Sequence, residues 1–331
     1  MLDIQETSLI KFKKDSSVAL QRMKRFCDSD KFILDCRFKA YQRIEKAIKK
    51  NKNNEIVFNW SKLPKLLMVN TKLNKETINH EKDFMVYGLS FAPHFVSGFN
   101  TCNGLSLGCA RVCLMFTGMG QEFMINSKGD HTVAIARIIR TILYFKYRNH
   151  FIKKLINEIV LLKKKSIKEN KDLAIRFNVF SEIKFESLKD LKEIIEVCKK
   201  LKIQCYDYVK DINRIVKNPN RSMYHLTYSL SENNFLFVPT AFNNNCNVAV
   251  VTNVPTNKLK NKKYKFNFPT SLTINGIKKD VIDGDSHDGR FLDKKDCWIL
   301  LRGKGQKIKK DKTNFAIPIF NNGIISNTIN I

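Results

Sequence analysis

Three cysteines lie close together in a glycine-rich stretch of the chain. The segment NTCNGLSLGCARVCLMFTGMG holds Cys102, Cys109 and Cys113 in the pattern C-x6-C-x3-C and is otherwise short of charge. Three thiolates can bind a [4Fe–4S] cluster and leave one iron open for a ligand. Three thiolates and a histidine can instead form a structural zinc site, and cysteines can also simply pack or act in redox chemistry. The pattern leaves these interpretations open.

The two metal hypotheses differ in what surrounds the cysteines. For zinc, His94 or His131 is near enough in the sequence to supply the fourth ligand. For iron–sulfur, the cysteines follow a predicted first strand, where radical S-adenosylmethionine enzymes carry their cluster loop. Those enzymes usually have C-x3-C-x2-C with an aromatic residue before the last cysteine, whereas Val112 stands there in this chain. An iron–sulfur cluster, with S-adenosylmethionine beside it, is our first cofactor hypothesis and zinc is the alternative.

Polar residues follow or interrupt several short apolar segments that are predicted to be strands. These segments include LAIRFNVF, IQCYDYV and MYHLTYSLS. In parallel α/β folds the functional sites lie at the carboxyl ends of the strands, so polar residues there are candidates for catalysis. The candidates are Asn178, Glu182, Asp207, Lys210 and His225. A lone histidine on a strand can equally be a core residue whose hydrogen bonds are satisfied.

A second group of residues has the chemistry of a phosphate or cofactor site. The segment VIDGDSHDGRF places three aspartates within six residues, which suits either a divalent ion that holds a phosphate or an ordinary turn. Arg176 alternates with Asn178 along its strand, so both point to one face. Such a face lines a cavity or pairs internally, for example with Glu182. The predicted cofactor-binding residues are Arg176, Asp283, Asp285 and Asp288.

The chain is strongly basic, with 59 Lys and Arg against 31 Asp and Glu and a net charge of +28. A surplus of this size favours a nucleic-acid or phosphorylated partner, although an AT-rich genome would also enrich lysine. Arg137 and Arg140 are three residues apart on a predicted helix and share a face. LRGKGQKIKKDK adds a basic, glycine-containing loop. The candidate nucleic-acid contacts are Arg137, Arg140, Arg302, Lys304 and Lys307.

Strands that alternate with helices predict an α/β fold with a parallel sheet. We expect a TIM-barrel-like or incomplete parallel barrel, with a doubly wound open sheet as the alternative. Residues 1–84 are predicted to form a basic, mainly helical accessory region, and residues 85–331 the α/β core. Cys27 and Cys36 have apolar neighbours and are predicted to be core residues.

The sequence also bounds the cellular setting. It contains no apolar run of about 18 residues, so no membrane partner is expected. Its start lacks the charged-then-apolar order of a secretory signal, which favours the cytoplasm of the host cell. Nine cysteines in that compartment are more often buried, metal-bound or catalytic than paired in disulfides.

Several segments together resemble a known family. In order they are YGLSFAPHFVSGFNTCNGLSLGCARVC, ARIIRT, IRFNVFSEI, CYDYVK, YHLTYSLSENN, NVAVV and DGDSHDGRFLD, and the resemblance covers roughly residues 85–310. They are similar to segments of the phage gene product 88 family, a group of bacteriophage and mobile-element proteins. The resemblance implies that these segments act as a set, and it names no reaction.

Two functions are consistent with these observations. The first is a phage-type cytosolic enzyme that depends on a metal or an iron–sulfur cluster and acts on a nucleotide or nucleic acid, with radical S-adenosylmethionine chemistry as one form. The second is a zinc-containing protein that binds nucleic acid without catalysis in phage or mobile-element replication.

Overall fold

The computed structural model describes residues 2–69, 84–114, 131–255, 267–304, 308, 311–321 and 324–331. The strands are β1 (Ile48–Lys50), β2 (Ile56–Phe58), β3 (Leu67–Met68), β4 (Phe84–Leu89), β5 (Asp172–Arg176), β6 (Gln204–Val209), β7 (Tyr224–Ser229), β8 (Val248–Pro255), β9 (Ser271–Ile274), β10 (Ile277–Asp283), β11 (Cys297–Gly303), β12 (Phe320–Asn321), β13 (Ile324–Ile325) and β14 (Thr328–Ile329). The α-helices are α1 (Leu2–Ser29), α2 (Lys31–Ala47), α3 (Leu107–Arg111), α4 (Thr132–Lys146), α5 (Arg148–Lys168), α6 (Lys192–Lys200), α7 (Ile212–Val216) and α8 (Val238–Asn243). Short 3-10 helices span Trp60–Lys62, Lys189–Leu191, Phe235–Phe237 and Arg290–Leu292.

A ten-stranded sheet forms the centre, in the order β14-β9-β10-β11-β8-β7-β6-β5-β4-β3. Every neighbouring pair is parallel except β9–β10 and β3–β4. The predicted α/β class with a mostly parallel sheet is therefore confirmed. Among the strands that the structure describes, none pairs β3 with β14, so these strands form no closed barrel.

The register of the parallel strands decides which side chains share a face. Arg176 at the end of β5 is level with Tyr206, and Tyr206 is level with His225. These three side chains therefore lie on one face of the sheet, whereas Asp207 lies on the other. His225 is the second residue of β7, near its amino end. It is thus displaced from the carboxyl edge, where we expected the polar residues to gather.

The N-terminal helices pack on the same core as the sheet. In α2 the side chain of Asp30 accepts a hydrogen bond from Ile33 N at 2.9 Å, which caps the helix. Ile33, Cys36 and Ile44 then repeat at helical spacing on the buried face. They belong to one buried cluster with residues of α4, α5 and the sheet, and β3 joins the sheet itself. The two predicted regions thus contribute to a common core, and the predicted burial of Cys27 and Cys36 is confirmed.

A helix must be both long and apolar to cross a bilayer. Within the described ranges, no helix is both long and apolar enough to cross a membrane.

Candidate functional site

A cavity of about 210 Å³ lies at the carboxyl ends of β5, β6, β7 and β11, with the cysteine loop on one side. Residues that the sequence singled out for three different purposes meet here. The predicted residues that line it are Cys102, Cys109, Cys113, Arg176, Asn178, Glu182, Lys210, Arg302 and Lys304. The parallel sheet brings them together because each follows or ends a strand, or belongs to the loop after β4.

Glu182 holds the cysteine loop against the end of β6. Its Oε1 accepts a hydrogen bond from Lys210 N at 2.6 Å, and its Oε2 accepts one from Gly104 N at 3.2 Å. The backbone N–H of Glu182 in turn donates to Thr101 O at 2.7 Å. A Cβ on Gly104 would lie 2.6 Å from Glu182 Oε2, so only glycine allows this approach. This contact explains one of the glycines in the loop.

A second glutamate, Glu232, holds the other part of the loop. It accepts hydrogen bonds from Ser106 Oγ at 2.8 Å and from Gly108 N at 2.6 Å. Ser106 is the N-cap of α3 and accepts from Cys109 N at 3.2 Å. The backbone of the loop is therefore fixed by two carboxylates that come from elsewhere in the chain.

Two thiols of the loop, Cys102 and Cys109, are held in their protonated form. Burial raises the pKa of Cys102 to about 12, although its sulfur accepts a hydrogen bond from His94 N at 3.1 Å. Burial also raises the pKa of Cys109, while the Lys210 ammonium opposes the rise by its charge and a hydrogen bond. Cys113 is partly buried and packs against the main core. At neutral pH, Cys102 and Cys109 are thus thiols in this conformation.

Lys210, beside Cys109, keeps its positive charge at neutral pH. Burial alone would lower the pKa of Lys210, but its neighbours Cys109 and Glu182 outweigh burial and raise the pKa overall. We attribute the rise to Glu182, because Cys109 stays a thiol at neutral pH. The cavity therefore presents an ammonium group next to a thiol.

The geometry of the loop bears on the metal hypotheses. Within the part of the chain that the structure describes, no group of three or more His, Cys, Asp or Glu side chains could hold a metal ion. Of the two histidines considered for zinc, His94 lines the cavity. His131 instead packs edge-on against the Phe32 ring, with the ring centres 4.3 Å apart. Iron–sulfur and zinc binding by Cys102, Cys109 and Cys113 thus remain predictions that would need the thiols to converge.

Asn178 is oriented by Asp207 from behind the cavity. The backbone N–H and the side-chain Nδ2 of Asn178 each donate to Asp207 at 2.7 Å. Tyr224 OH also donates to Asp207 at 2.5 Å. Asp207 is fully buried, and burial raises its pKa to about 6 despite these hydrogen bonds. It lies outside the cavity lining, so its direct effect is on the orientation of Asn178.

Arg176 pairs with Asp288, and the pairing with Glu182 that we considered from the sequence is absent. Arg176 Nη1 lies 3.1 and 3.2 Å from the two carboxylate oxygens of Asp288. Tyr206 OH donates to the same carboxylate at 2.8 Å. The guanidinium also lies over the Tyr208 ring, 4.6 Å from its centre. Asp288 thus pairs with the Arg176 guanidinium and helps to fix its position.

The other two predicted cofactor ligands also pair with cations. Asp283 accepts two hydrogen bonds from Arg302 Nη1, both at 2.8 Å. Asp285 accepts from Arg302 N at 2.9 Å and lies 3.3 Å from Lys304 Nζ. This arrangement favours the interpretation of the aspartates as partners of basic side chains over that of a divalent-ion site.

With this geometry established, the chain was compared with known proteins. The family model of gene product 88 matches residues 64–318. The chain belongs to the gene product 88 family. The resemblance predicted from the sequence is thereby confirmed, and the match includes every residue named above as lining the cavity. No curated protein and no solved structure matches the chain.

The remaining predicted residues of this gene product 88 family member lie outside the cavity lining. His225 is partly buried, and burial lowers its pKa to about 4; its charged neighbours are Asp293, Arg290 and Lys295. Arg140 is buried and donates to Lys65 O at 2.7 Å. Arg137 lies near the cavity, with its guanidinium 4.0 Å from the centre of the Phe180 ring. Lys307 lies outside the described residues.

Sequence reasoning missed several residues at the cavity of this family member. Tyr208 lines the wall beside Arg176, and Phe180 lines it beyond Asn178. Period-two alternation with Tyr206 could have identified Tyr208, because both share a face with Arg176. No local pattern points to Glu232, which acts on the loop from more than 120 residues away along the chain.

Proposed function

We propose that this gene product 88 family member is an enzyme whose active site is the cavity at the carboxyl ends of the strands, and that it acts on a nucleotide or nucleic acid. The observation that carries this proposal is the convergence of three thiols, two ammonium groups, an amide and two guanidinium groups on one cavity. Buried reactive groups that gather in a concave site are the usual signature of catalysis.

The two kinds of wall in the cavity support this class of substrate. Arg176, Lys210, Arg302 and Lys304 supply N–H donors that suit phosphate oxygens. Leu105, Val112, Phe180 and Phe315 supply apolar surface that suits a base or sugar. The volume of about 210 Å³ is smaller than most ligand pockets, so the cavity fits a small nucleotide or one end of a larger ligand.

Cys109 and Lys210 are the reacting groups that we propose. Lys210 acts on the Cys109 thiol through its positive charge, which lowers the pKa of that thiol. A positive neighbour favours the thiolate, which is the nucleophilic form of cysteine. Binding of an anionic substrate next to Lys210 would place the substrate at this pair. The Asn178 amide donates to Asp207 and Ile183 and accepts from Ser181 and Ile183, so its role would be to hold this part of the cavity wall in shape.

Turnover by matched variants tests the proposal. Purified protein would be incubated with a panel of nucleotides and labelled oligonucleotides, and the products followed by liquid chromatography and mass spectrometry. We expect turnover by the wild type to fall at least 100-fold in Cys109→Ser and in Lys210→Met. Cys297→Ser, which changes a buried cysteine outside the cavity lining, should keep full activity. Turnover that persists in both cavity variants would contradict the proposal.

A metal- or cluster-dependent form of this enzyme is a second proposal. The observation that favours it is that Cys102, Cys109 and Cys113 line a single cavity, as three thiolate ligands must. Binding would require these partly buried thiols to lose their protons. Iron, zinc and sulfide would be measured on protein purified without oxygen. About four irons per chain would support a [4Fe–4S] cluster and a test of S-adenosylmethionine cleavage, and one zinc would support a structural site. Protein that contains neither iron nor zinc would contradict both the cluster and the zinc site.

Nucleic-acid binding without catalysis is the alternative from another class. It is favoured by α1, which exposes Lys11, Lys14, Arg22 and Arg25 at helical spacing. Electrophoretic mobility shifts at 50 and 200 mM salt would test it. Reversal of all four charges should abolish a binding that falls steeply with salt. Binding that survives charge reversal would remove α1 from consideration.

We also propose that the sheet is an incomplete, singly wound barrel. Strands β4, β5, β6, β7 and β8 follow one another in sequence order with parallel neighbours. A doubly wound sheet reverses its order at a switch point, and no reversal occurs along these five strands. A flat sheet across β4–β8 in a crystal structure of the protein would contradict this proposal.

A further inference from the structure

Three carboxylates, Asp283 at the end of β10 and Asp285 and Asp288 in the connection to β11, each pair with a different cation of the cavity wall. Asp283 pairs with Arg302 at 2.8 Å, and Asp285 with Lys304 at 3.3 Å. Asp288, three residues further along, pairs with Arg176 at 3.1 Å. None of the three aspartates lines the cavity, whereas all three cations do. One short segment therefore positions cations that come from two different strands.

Aromatic rings fix the two guanidinium groups further. Arg176 lies over Tyr208, and Arg302 lies over Phe268 at 4.2 Å from its centre. Only 5% of Arg176 and 8% of Arg302 is exposed. An arginine that is paired on one edge and stacked on its face has few orientations left, so binding a ligand costs it little further entropy. The two arginines are thus preorganised.

Arg176, which lines the cavity, retains unused hydrogen-bonding capacity. Its Nε is buried and meets no acceptor among the residues the structure describes. A buried N–H without an acceptor is costly, and a ligand oxygen would relieve that cost. Because each of the three cations is paired with a carboxylate, the six side chains together are nearly neutral. Recognition would come from directed N–H donors more than from net charge.

We infer that Arg176, Arg302 and Lys304 form a subsite for a terminal phosphate monoester, with Asp283, Asp285 and Asp288 as positioning residues. The inference rests on the proposed function of the same cavity. A terminal phosphate offers three non-bridging oxygens to the three cations. An internal diester offers two and needs an exit for the chain on both sides, which suits a cavity of about 210 Å³ poorly. The ligand is therefore a mononucleotide or the phosphorylated end of a strand.

Titration calorimetry on the full chain tests this subsite. The probes are AMP, adenosine, and an oligonucleotide with either a 5′-phosphate or a 5′-hydroxyl. We expect AMP to bind at least tenfold more tightly than adenosine. Arg176→Gln and Arg302→Gln should each reduce AMP affinity at least tenfold and leave adenosine affinity within about threefold. Preference for the 5′-phosphorylated oligonucleotide over AMP would identify a strand end, and the reverse a mononucleotide.

Two further variants separate recognition from folding. Lys304→Gln changes a side chain that is 38% exposed, so it should fold and still weaken AMP binding. Asp288→Asn should lower the ratio of AMP affinity to adenosine affinity. If Asp288 had only a structural role, this ratio would not change. Arg214→Gln breaks the buried pair with Glu186 outside this cavity and should leave the ratio unchanged.

The outcomes distinguish this inference from the proposed function. If AMP binds but its affinity ratio to adenosine is unaffected by changes at Arg176, Arg302 and Lys304, the phosphate subsite is wrong and the cavity proposal survives. If none of the probes binds to the wild type, the proposed nucleotide function fails together with the subsite.

Discussion

The carboxylate of Glu182 lies 2.6 Å from the backbone nitrogen of Lys210 and accepts its hydrogen bond. The second oxygen of the same carboxylate accepts from Gly104 N at 3.2 Å. One buried side chain therefore joins the end of β6 to the cysteine loop. The position of the thiols relative to Lys210 depends on it.

We expect Glu182→Gln to lower the free energy of unfolding by about 1–3 kcal/mol. A glutamine has one carbonyl oxygen, so its amide would face one of the two backbone N–H groups donor to donor. Urea unfolding measures the change. Glu193→Gln on the exposed face of α6 is the matched control and should change stability by less than about 0.5 kcal/mol. Equal losses in the two variants would show that the hydrogen bonds of the Glu182 carboxylate contribute nothing to stability.

Gly104→Ala should disturb the same contact from the other side. The added Cβ would lie 2.6 Å from Glu182 Oε2, and overpacking of this kind costs about 1–3 kcal/mol. Thermal or urea unfolding would measure the loss. Gly289→Ala is the control, because its Cβ would meet the flexible end of Leu292 at 3.3 Å and the Phe291 ring at an ordinary contact distance of 3.6 Å. If Gly104→Ala is as stable as the wild type, the loop has room that the structure does not suggest.

Much of the candidate site followed from residue type and strand order. Asn178, Glu182 and Lys210 come just after apolar strands, and parallel strands bring such positions to one edge. The cysteine loop follows β4 and so reaches the same edge. His225 did not fit, because alternation predicts the face of a strand but not the position along it. Its place near the amino end of β7 emerges only from the register with β6.

The partners of the charged residues could not be predicted. Asp288 is 112 residues from Arg176 along the chain, and no local pattern encodes that pair. Asp283 and Asp285 illustrate the same limit, because Asp-x-Asp in a turn suits a divalent ion as well as a pair of cations. The parallel pairing of β10 with β11 brings Arg302 alongside Asp283, which favours the pair of cations.

His94 should make the fold sensitive to acid. Burial lowers its pKa from 6.5 to about 4, so the unfolded chain takes up a proton below pH 6.5 while the folded chain does not. Stability from this group is complete above pH 6.5 and is lost as the pH falls toward 4, by about 3 kcal/mol. Urea unfolding of the wild type and His94→Gln at pH 7 and pH 4.5 would measure the difference in slope.

The comparison of slopes removes a complication at His94. Its φ is 37°, so glutamine there changes the backbone strain, but that cost does not vary with pH. His150→Gln, which changes a partly exposed histidine, is the control. Parallel pH dependences of the wild type and His94→Gln would mean that the ring is not held neutral by burial.

Lys210 should govern the reactivity of Cys109. The ammonium lowers the pKa of the buried thiol by its charge and hydrogen bond, against the effect of burial. In Lys210→Met the thiol should ionise only at higher pH. The rate of iodoacetamide alkylation at pH 8 should then fall roughly tenfold for every unit of pKa shift. The rate would be followed on the Cys109 peptide by mass spectrometry across a pH series.

Because accessibility changes the plateau of the alkylation rate and the pKa changes its midpoint, the pH series separates these two effects. Lys210→Arg keeps the charge and should restore much of the midpoint, and Lys200→Met on the exposed surface of α6 should leave it unchanged. A midpoint that does not move in Lys210→Met would mean that this lysine does not activate the thiol.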